Sequence, residues 1–142
     1  MLDIESLKYN SFDVIGSIHE VHKILGPGLN EYVYQEALEI ELQKRGIQYL
    51  REMTFHPIYK DVQMKAEYRI DFICKSDIII ELKAVEALNK EHKAQLFNYM
   101  RLLGASTGII VNFAPAFAQI ERYFYDSETR EILTAYGTPL TN

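Results

Sequence analysis

Three charged residues, Asp71, Glu81 and Lys83, interrupt the apolar alternation of "YRIDFICKSDIIIELKA", residues 68–84. Charges are seldom set into such a segment unless they are paired or hold a metal. Suppose residues 75–77 form a three-residue loop between two antiparallel strands. Cys74 then faces Ile78, and Asp71 faces Glu81. Side chains of a strand alternate between faces. Ile70, Phe72, Cys74, Ile78, Ile80 and Leu82 share one apolar face. Arg69, Asp71, Ile73, Ile79, Glu81 and Lys83 share the other, with the charges gathered at one end. A two-residue turn would shift the register and part the acids.

Directly opposed residues have Cβ atoms about 5 Å apart, so two carboxylates there repel unless something positive lies between them. Lys83 is one candidate and a divalent cation is another. Mg²⁺ takes carboxylate and carbonyl oxygens and keeps several waters, which suits a short two-carboxylate site. An ion-pair cluster of Arg69, Lys83 and the two acids on a solvated sheet face accounts for the same residues. On the hairpin alone the two readings stand side by side.

The elements that would position these residues follow from periodicity. "SFDVIGSIHEVHKILG" repeats Val14, Ile18, Val21, Ile24 and Leu25 at helical spacing, with Ser11 as its expected N-cap. Gly26, Pro27 and Gly28 interrupt it. "NEYVYQEALEIELQKRG" reads as a second helix, with Tyr34, Leu38 and Leu42 on one face and Gly46 as its stop. Segments 48–58 and 62–74 read as strands joined at "YKD", and "IIIELKA" as another. "NKEHKAQLFNYMRLLG" reads as a helix capped by Asn89 and Gly104. "TGIIVNF" is a buried strand and "QIERYFY" a further one. The order α-β-β-β-α-β predicts an α/β fold, a mixed β-sheet flanked by helices.

The 142 residues are the usual size of one domain, and we expect a single domain over 1–142. Nothing at the N-terminus resembles a signal peptide, no apolar run reaches the length of a membrane span, and Cys74 is the single cysteine. The expected compartment is the cytoplasm. The net charge of −5 argues against a protein that merely coats nucleic acid. Residues 69–101 hold six Lys and Arg against five Asp and Glu, a net +1, so the rest carries −6. Phosphate contact is expected in this middle segment.

The pattern D-x₉-E-x-K across two adjacent strands resembles the PD-(D/E)XK nuclease superfamily. "GLNEYVY", residues 28–34, resembles the G-x-x-E-x-x-Y signature of a small bacterial family, the GxxExxY proteins, with Gly28, Glu31 and Tyr34 in place. "EVHKILGPG", "ELKAVEAL", "HKAQLFNYM" and "IIVNF" are similar to that family too. The resemblance spans roughly residues 14–124. It implies a restriction-endonuclease-like core and a metal-dependent nuclease with nucleic acid, DNA above all, as its substrate. Asp71, Glu81 and the Leu82 carbonyl would hold Mg²⁺ or Mn²⁺, with Glu31 as a further acid. Lys83 would orient the attacking water or stabilise charge on the phosphate. Gln95 and Tyr99 match a Q-x₃-Y element, with His92 one turn earlier, and Arg69 would support the site. Ile70 stands where the motif's proline would be. Gly28 and Tyr34 read as structural, a turn and a packed aromatic. The alternative function is a catalytically silent module of the same fold that binds a protein or nucleic-acid partner, which the negative net charge favours.

Three other patterns carry no chemistry. "GASTG", residues 104–108, fits G-x-S-x-G but runs from helix to strand, whereas a nucleophile elbow runs from strand to helix. "HEVH", residues 19–22, is one residue short of H-E-x-x-H, so His19 and His22 read as surface or packing residues. Cys74 falls on the apolar hairpin face as an inert thiol.

Overall fold

A computed structural model of the chain describes residues 2–140; residues 1, 141 and 142 lie outside it. Helix α1, Ile4–Leu25, begins earlier than the periodicity suggested, because the Asp3 side chain caps it by accepting from the Ser6 N–H at 3.2 Å. Ser11, the expected cap, is buried in mid-helix. Its hydroxyl donates to the Leu7 carbonyl one turn back at 2.9 Å, which satisfies it there. After the 26–30 break, α2 runs over Glu31–Lys44 and buries Tyr34, Leu38 and Leu42. Gly46, at φ +67, takes the left-handed conformation that ends it.

Six strands form one mixed sheet in the order β1 (Tyr49–Phe55), β4 (Tyr68–Cys74), β5 (Ile78–Lys83), β6 (Thr107–Asn112), β7 (Gln119–Asp126), β8 (Glu131–Leu133). Only β5 and β6 are parallel, and the crossover between them is helix α3, Lys90–Leu103. Asn89 and Gly104 cap that helix as expected, Gly104 in the left-handed conformation. The strand over 119–126 is present, and β8 is an addition that periodicity did not reveal. The segment expected as one strand over 62–74 is broken. Val62–Gln63 (β3) pairs with Ile58–Tyr59 (β2) in a two-stranded hairpin of its own, and β4 starts at Tyr68. Lys60 and Asp61, both at positive φ, make the turn. No helix among the described residues is long and apolar enough to cross a membrane.

Each face of the sheet is covered. Phe72, Cys74, Ile78, Ile80 and Leu82 pack under α1 and α2 with Val14, Ile18, Tyr34 and Leu38. Ile73 and Ile79 pack under α3 with Leu96, Tyr99 and Met100. Ile70 corrects the expected alternation, for it packs with the α3 layer rather than with Phe72. The reversal falls at Asp71. Across from it in the β1 register, between the pairs Arg51–Phe72 and Met53–Ile70, Glu52 sits at φ +53. The same break sends Tyr49 to one layer and Met53 and Phe55 to the other. The strands twist out of regular pleating where the acids lie.

Candidate active site

The β4–β5 hairpin has the register expected of a 75–77 loop, with Cys74 opposite Ile78, Ile73 opposite Ile79 and Phe72 opposite Ile80. Its turn is pinned on both sides. Lys75 Nζ donates to the Asp13 carboxylate at 2.8 Å and to the Asn10 carbonyl at 2.7 Å on α1. Asp77 accepts from the Ser106 N–H at 2.8 Å and from its hydroxyl at the head of β6. Ser106 therefore serves the fold, consistent with the dismissal of "GASTG".

Backbone pairing stops at the other end. The Asp71 N–H donates to Glu81 Oε1 at 3.3 Å, and the Leu82 N–H donates to Asp71 Oδ2 at 2.8 Å. Side-chain carboxylates thus take the place of ladder carbonyls. Lys83 directs its carbonyl to β6, where Phe113 N–H donates at 2.9 Å. Peptide groups alternate along a strand, so those of Leu82 face β4. The Leu82 carbonyl accordingly opens on the same gap as the two acids.

Glu81 is 4% exposed, and Asp71 is half-buried. Burial pushes the Glu81 carboxyl up to about 9. The Asp71 charge and a carboxyl–carboxyl hydrogen bond push the same way; the Asp71 N–H and the Lys83 charge pull it down. Among the described residues, neither Asp71 nor Glu81 forms an ion pair with a lysine or arginine. The ion-pair cluster is therefore not formed. Arg69 is exposed on β4, across from Thr54, and takes no part in the acid pair.

Glu31 opens α2, and it is exposed. Its carboxyl is raised above the ordinary range by partial burial and by Asp71, against the pull of Lys83. Glu31 and Glu81 each lie within the fields of Asp71 and Lys83, though among these four only Asp71 and Glu81 are directly joined. Tyr34 sets the approach of Glu31. Its hydroxyl donates to the Gly26 carbonyl at 2.7 Å and accepts from Leu29 N–H at 3.1 Å, and its ring stacks on Phe113 at 4.5 Å. Gly28, at φ +86 in the same loop, needs the freedom of glycine. Both match their structural reading.

Tyr99 is buried in α3, edge-on to Phe55 and Tyr68. Burial raises its phenol to about 12, the charges of Glu81 and Asp71 add to this, and a hydrogen bond with Gln95 opposes it. Gln95 is exposed beside it, and His92 completes the α3 capping box rather than joining the site. His22 is buried, and its Nε2 lies 3.2 and 3.0 Å from the Phe113 and Pro115 carbonyls; His19 is exposed. Burial pushes the Cys74 thiol up to about 12, as expected of an inert cysteine.

Sequence reasoning missed Asn112. It is fully buried, its Nδ2 donates to the Val85 carbonyl at 2.8 Å, and its Oδ1 accepts from Val85 N–H at 3.1 Å. This clamp fixes the chain just beyond Lys83. The signal was a lone amide closing the apolar run "TGIIVN".

Two adjoining carboxylates without a cationic partner, and a carbonyl opening on the same gap, form an oxygen set that fits a small hard cation. Among the described residues no three His, Cys, Asp or Glu side chains gather into a ready cage, so such an ion would keep part of its water.

The model of the PD-(D/E)XK nuclease superfamily matches residues 8–123, a stretch that carries Glu31, the acid pair, Lys83 and α3. The chain belongs to this superfamily. The mixed sheet, with its antiparallel β4–β5 hairpin and parallel β6, is the restriction-endonuclease-like PD-(D/E)XK core. A solved structure, described as the crystal structure of SSO0001, is 23% identical with a TM-score of 0.52, over 77% of this chain. That likeness concerns the fold, and this chain spans half the length of that structure. No curated protein matches the chain.

Proposed function

We propose that the chain is a Mg²⁺- or Mn²⁺-dependent nuclease that hydrolyses phosphodiester bonds in nucleic acid, with DNA as the substrate. The observation that carries this reading is the Asp71–Glu81 pair, Glu81 buried and Asp71 half-buried, set in a break of the ladder and, among the described residues, matched by no ion-paired lysine or arginine. In a superfamily of nucleases, such a pair is best explained by a cation that neutralises it. Asp71, Glu81 and the Leu82 carbonyl hold the ion, and Glu31 adds negative charge at its open side. The ion supplies Lewis acidity towards a phosphoryl oxygen. Lys83 orients the attacking water and steadies the charge that develops on the phosphate. Tyr99 and Gln95, hydrogen-bonded on α3, support the site from that side. Glu81 keeps a proton near neutral pH, and it gives that proton up when the cation enters.

The pattern Gly28-x-x-Glu31-x-x-Tyr34 supports placement among the bacterial GxxExxY proteins. A single domain over 1–142 working in the cytoplasm, with its thiol reduced, accords with this. The test is direct. Purified protein is offered single-stranded, duplex and branched DNA, and RNA, with Mg²⁺ or Mn²⁺ or with EDTA. Cleavage with metal alone is expected. No cleavage across that set would leave the silent binding module, the reading that the net charge of −5 favours.

A further inference from the structure

The 58–63 hairpin contributes nothing to either core layer, and every residue of both its strands is exposed. Ile58, Tyr59 and Val62 are 71%, 63% and 66% exposed. Tyr59 and Val62 are paired across the hairpin and so share a face, and large apolar side chains left open in this way mark a contact surface. The hairpin is nonetheless held in shape. Met64 N–H donates to the Pro57 carbonyl at 2.8 Å, His56 Nδ1 lies 3.2 Å from the Met64 carbonyl, and His56 pairs with Glu67 at 3.7 Å. At its tip, Lys60 and Asp61 both stand at positive φ, where glycine would be less strained. Strain kept in place of glycine points to a use for the side chains.

Its position and charge suggest that use. The hairpin grows out of Phe55 and Tyr68, whose rings pack edge-on to Tyr99, and Tyr99 feels the charges of Glu81 and Asp71. Tyr68 also stands three residues before Asp71 on β4, so the root lies about 10 Å along the strand from the acid pair. Residues 56–69 carry Lys60, Lys65 and Arg69 against Asp61 and Glu67, a small positive excess in a chain of net charge −5. Glu67 is already engaged by His56, and the Lys60 ammonium lies 5.6 Å from the centre of the Tyr59 ring. Aromatic faces interleaved with cations are what a single nucleic-acid strand needs, bases stacking on rings and phosphates meeting cations.

We infer that the 56–69 segment grips the substrate strand beside the metal site, with bases against Tyr59 and Val62, which share one face of the hairpin, and phosphates at Lys60, Lys65 and Arg69. This rests on the nuclease reading above. The substrate is then one that offers unpaired bases close to the scissile bond.

The probes are a labelled single-stranded oligonucleotide and its duplex. Anisotropy is read with Ca²⁺ in place of Mg²⁺, and cleavage with Mn²⁺. Tyr59→Ser should weaken single-strand binding roughly tenfold and place the loss on KM rather than kcat. The double variant Lys60→Gln/Lys65→Gln should lower the salt slope of binding by about one per lysine. Tyr136→Ser, at an aromatic 90% exposed elsewhere, should bind as the parent does. Melting temperatures confirm that each variant folds. A parent that cleaves while Tyr59→Ser binds and cleaves equally well would overturn the hairpin's role and leave the nuclease standing. A parent that neither binds nor cleaves would overturn both. Variants that change sedimentation but not affinity would make the hairpin a self-association face, and this proposal would fall.

Discussion

The Asp71 N–H donates to Glu81 Oε1 at 3.3 Å, while the Asp71 carboxylate accepts from the N–H of Leu82, the residue after Glu81, at 2.8 Å. Each acid thus does the work of a missing ladder carbonyl for the neighbouring strand. The pair is built into the backbone pairing and cannot swing away from itself. The close approach of the two carboxyls is a standing property of the fold, and it has consequences for stability, titration and catalysis.

The first concerns pH. Glu81 ionises near 4.5 in an unfolded chain and at about 9 in the folded protein. Between those values the folded state holds a proton that the unfolded state has released. Stability of the metal-free protein should therefore be full below about 4.5 and fall as pH rises towards 9. Glu81→Gln should remove that fall. Urea denaturation in EDTA at pH 5, 7 and 8.5 checks it; an equal fall in parent and variant would assign the effect elsewhere.

A second prediction separates the acid hairpin from the serine pattern. Lys83→Ala should lower kcat about 10²-fold or more, the scale of removing one group that stabilises transition-state charge. Ser106→Ala loses its hydrogen bond to Asp77, so it should cost about 1–2 kcal/mol of stability while cleavage persists. Kinetics together with melting curves read both effects, and abolition of cleavage in a folded Ser106→Ala protein would mean that the chemistry lies at the wrong motif.

A third addresses Asp71. Asp71→Asn keeps an oxygen to accept from Leu82 N–H and removes one of two facing charges. In EDTA above about pH 9, where Glu81 has ionised as well, the variant should melt at or above the parent. With metal at ~100 times its dissociation constant the parent should gain about 2.7 kcal/mol, and the variant much less. A destabilised metal-free variant beside a parent indifferent to metal is the pattern of an ion pair, and it would count against the metal site.

Most of the site was legible because its signals are local. Strand periodicity and a three-residue loop place Asp71 opposite Glu81 without any knowledge of the fold. The helices that carry Glu31 and Tyr99 announce themselves through caps and apolar spacing. What stayed hidden depends on contacts between distant segments. Ile70 changes layers because two strands twist together at Asp71 and Glu52, and alternation within one strand is blind to that. Ser11 looked like a cap because serine is good at capping, but Asp3 stands eight residues earlier in a better place, and helical sequence fills the interval. Asn112 reaches across to Val85, a pairing that no spacing rule foretells.

The central claim is that Asp71 and Glu81 share a divalent cation, and calorimetric titration of Mn²⁺ tests it most directly. Performed at pH 7 in two buffers of different ionisation enthalpy, it reads both occupancy and proton release. The parent should show one saturable site with about one proton displaced per ion, because Glu81 is protonated beforehand. Asp71→Asn should lose most of that affinity. A parent that takes up no Mn²⁺, or an Asp71→Asn protein that binds it as tightly with the same proton release, would contradict the account.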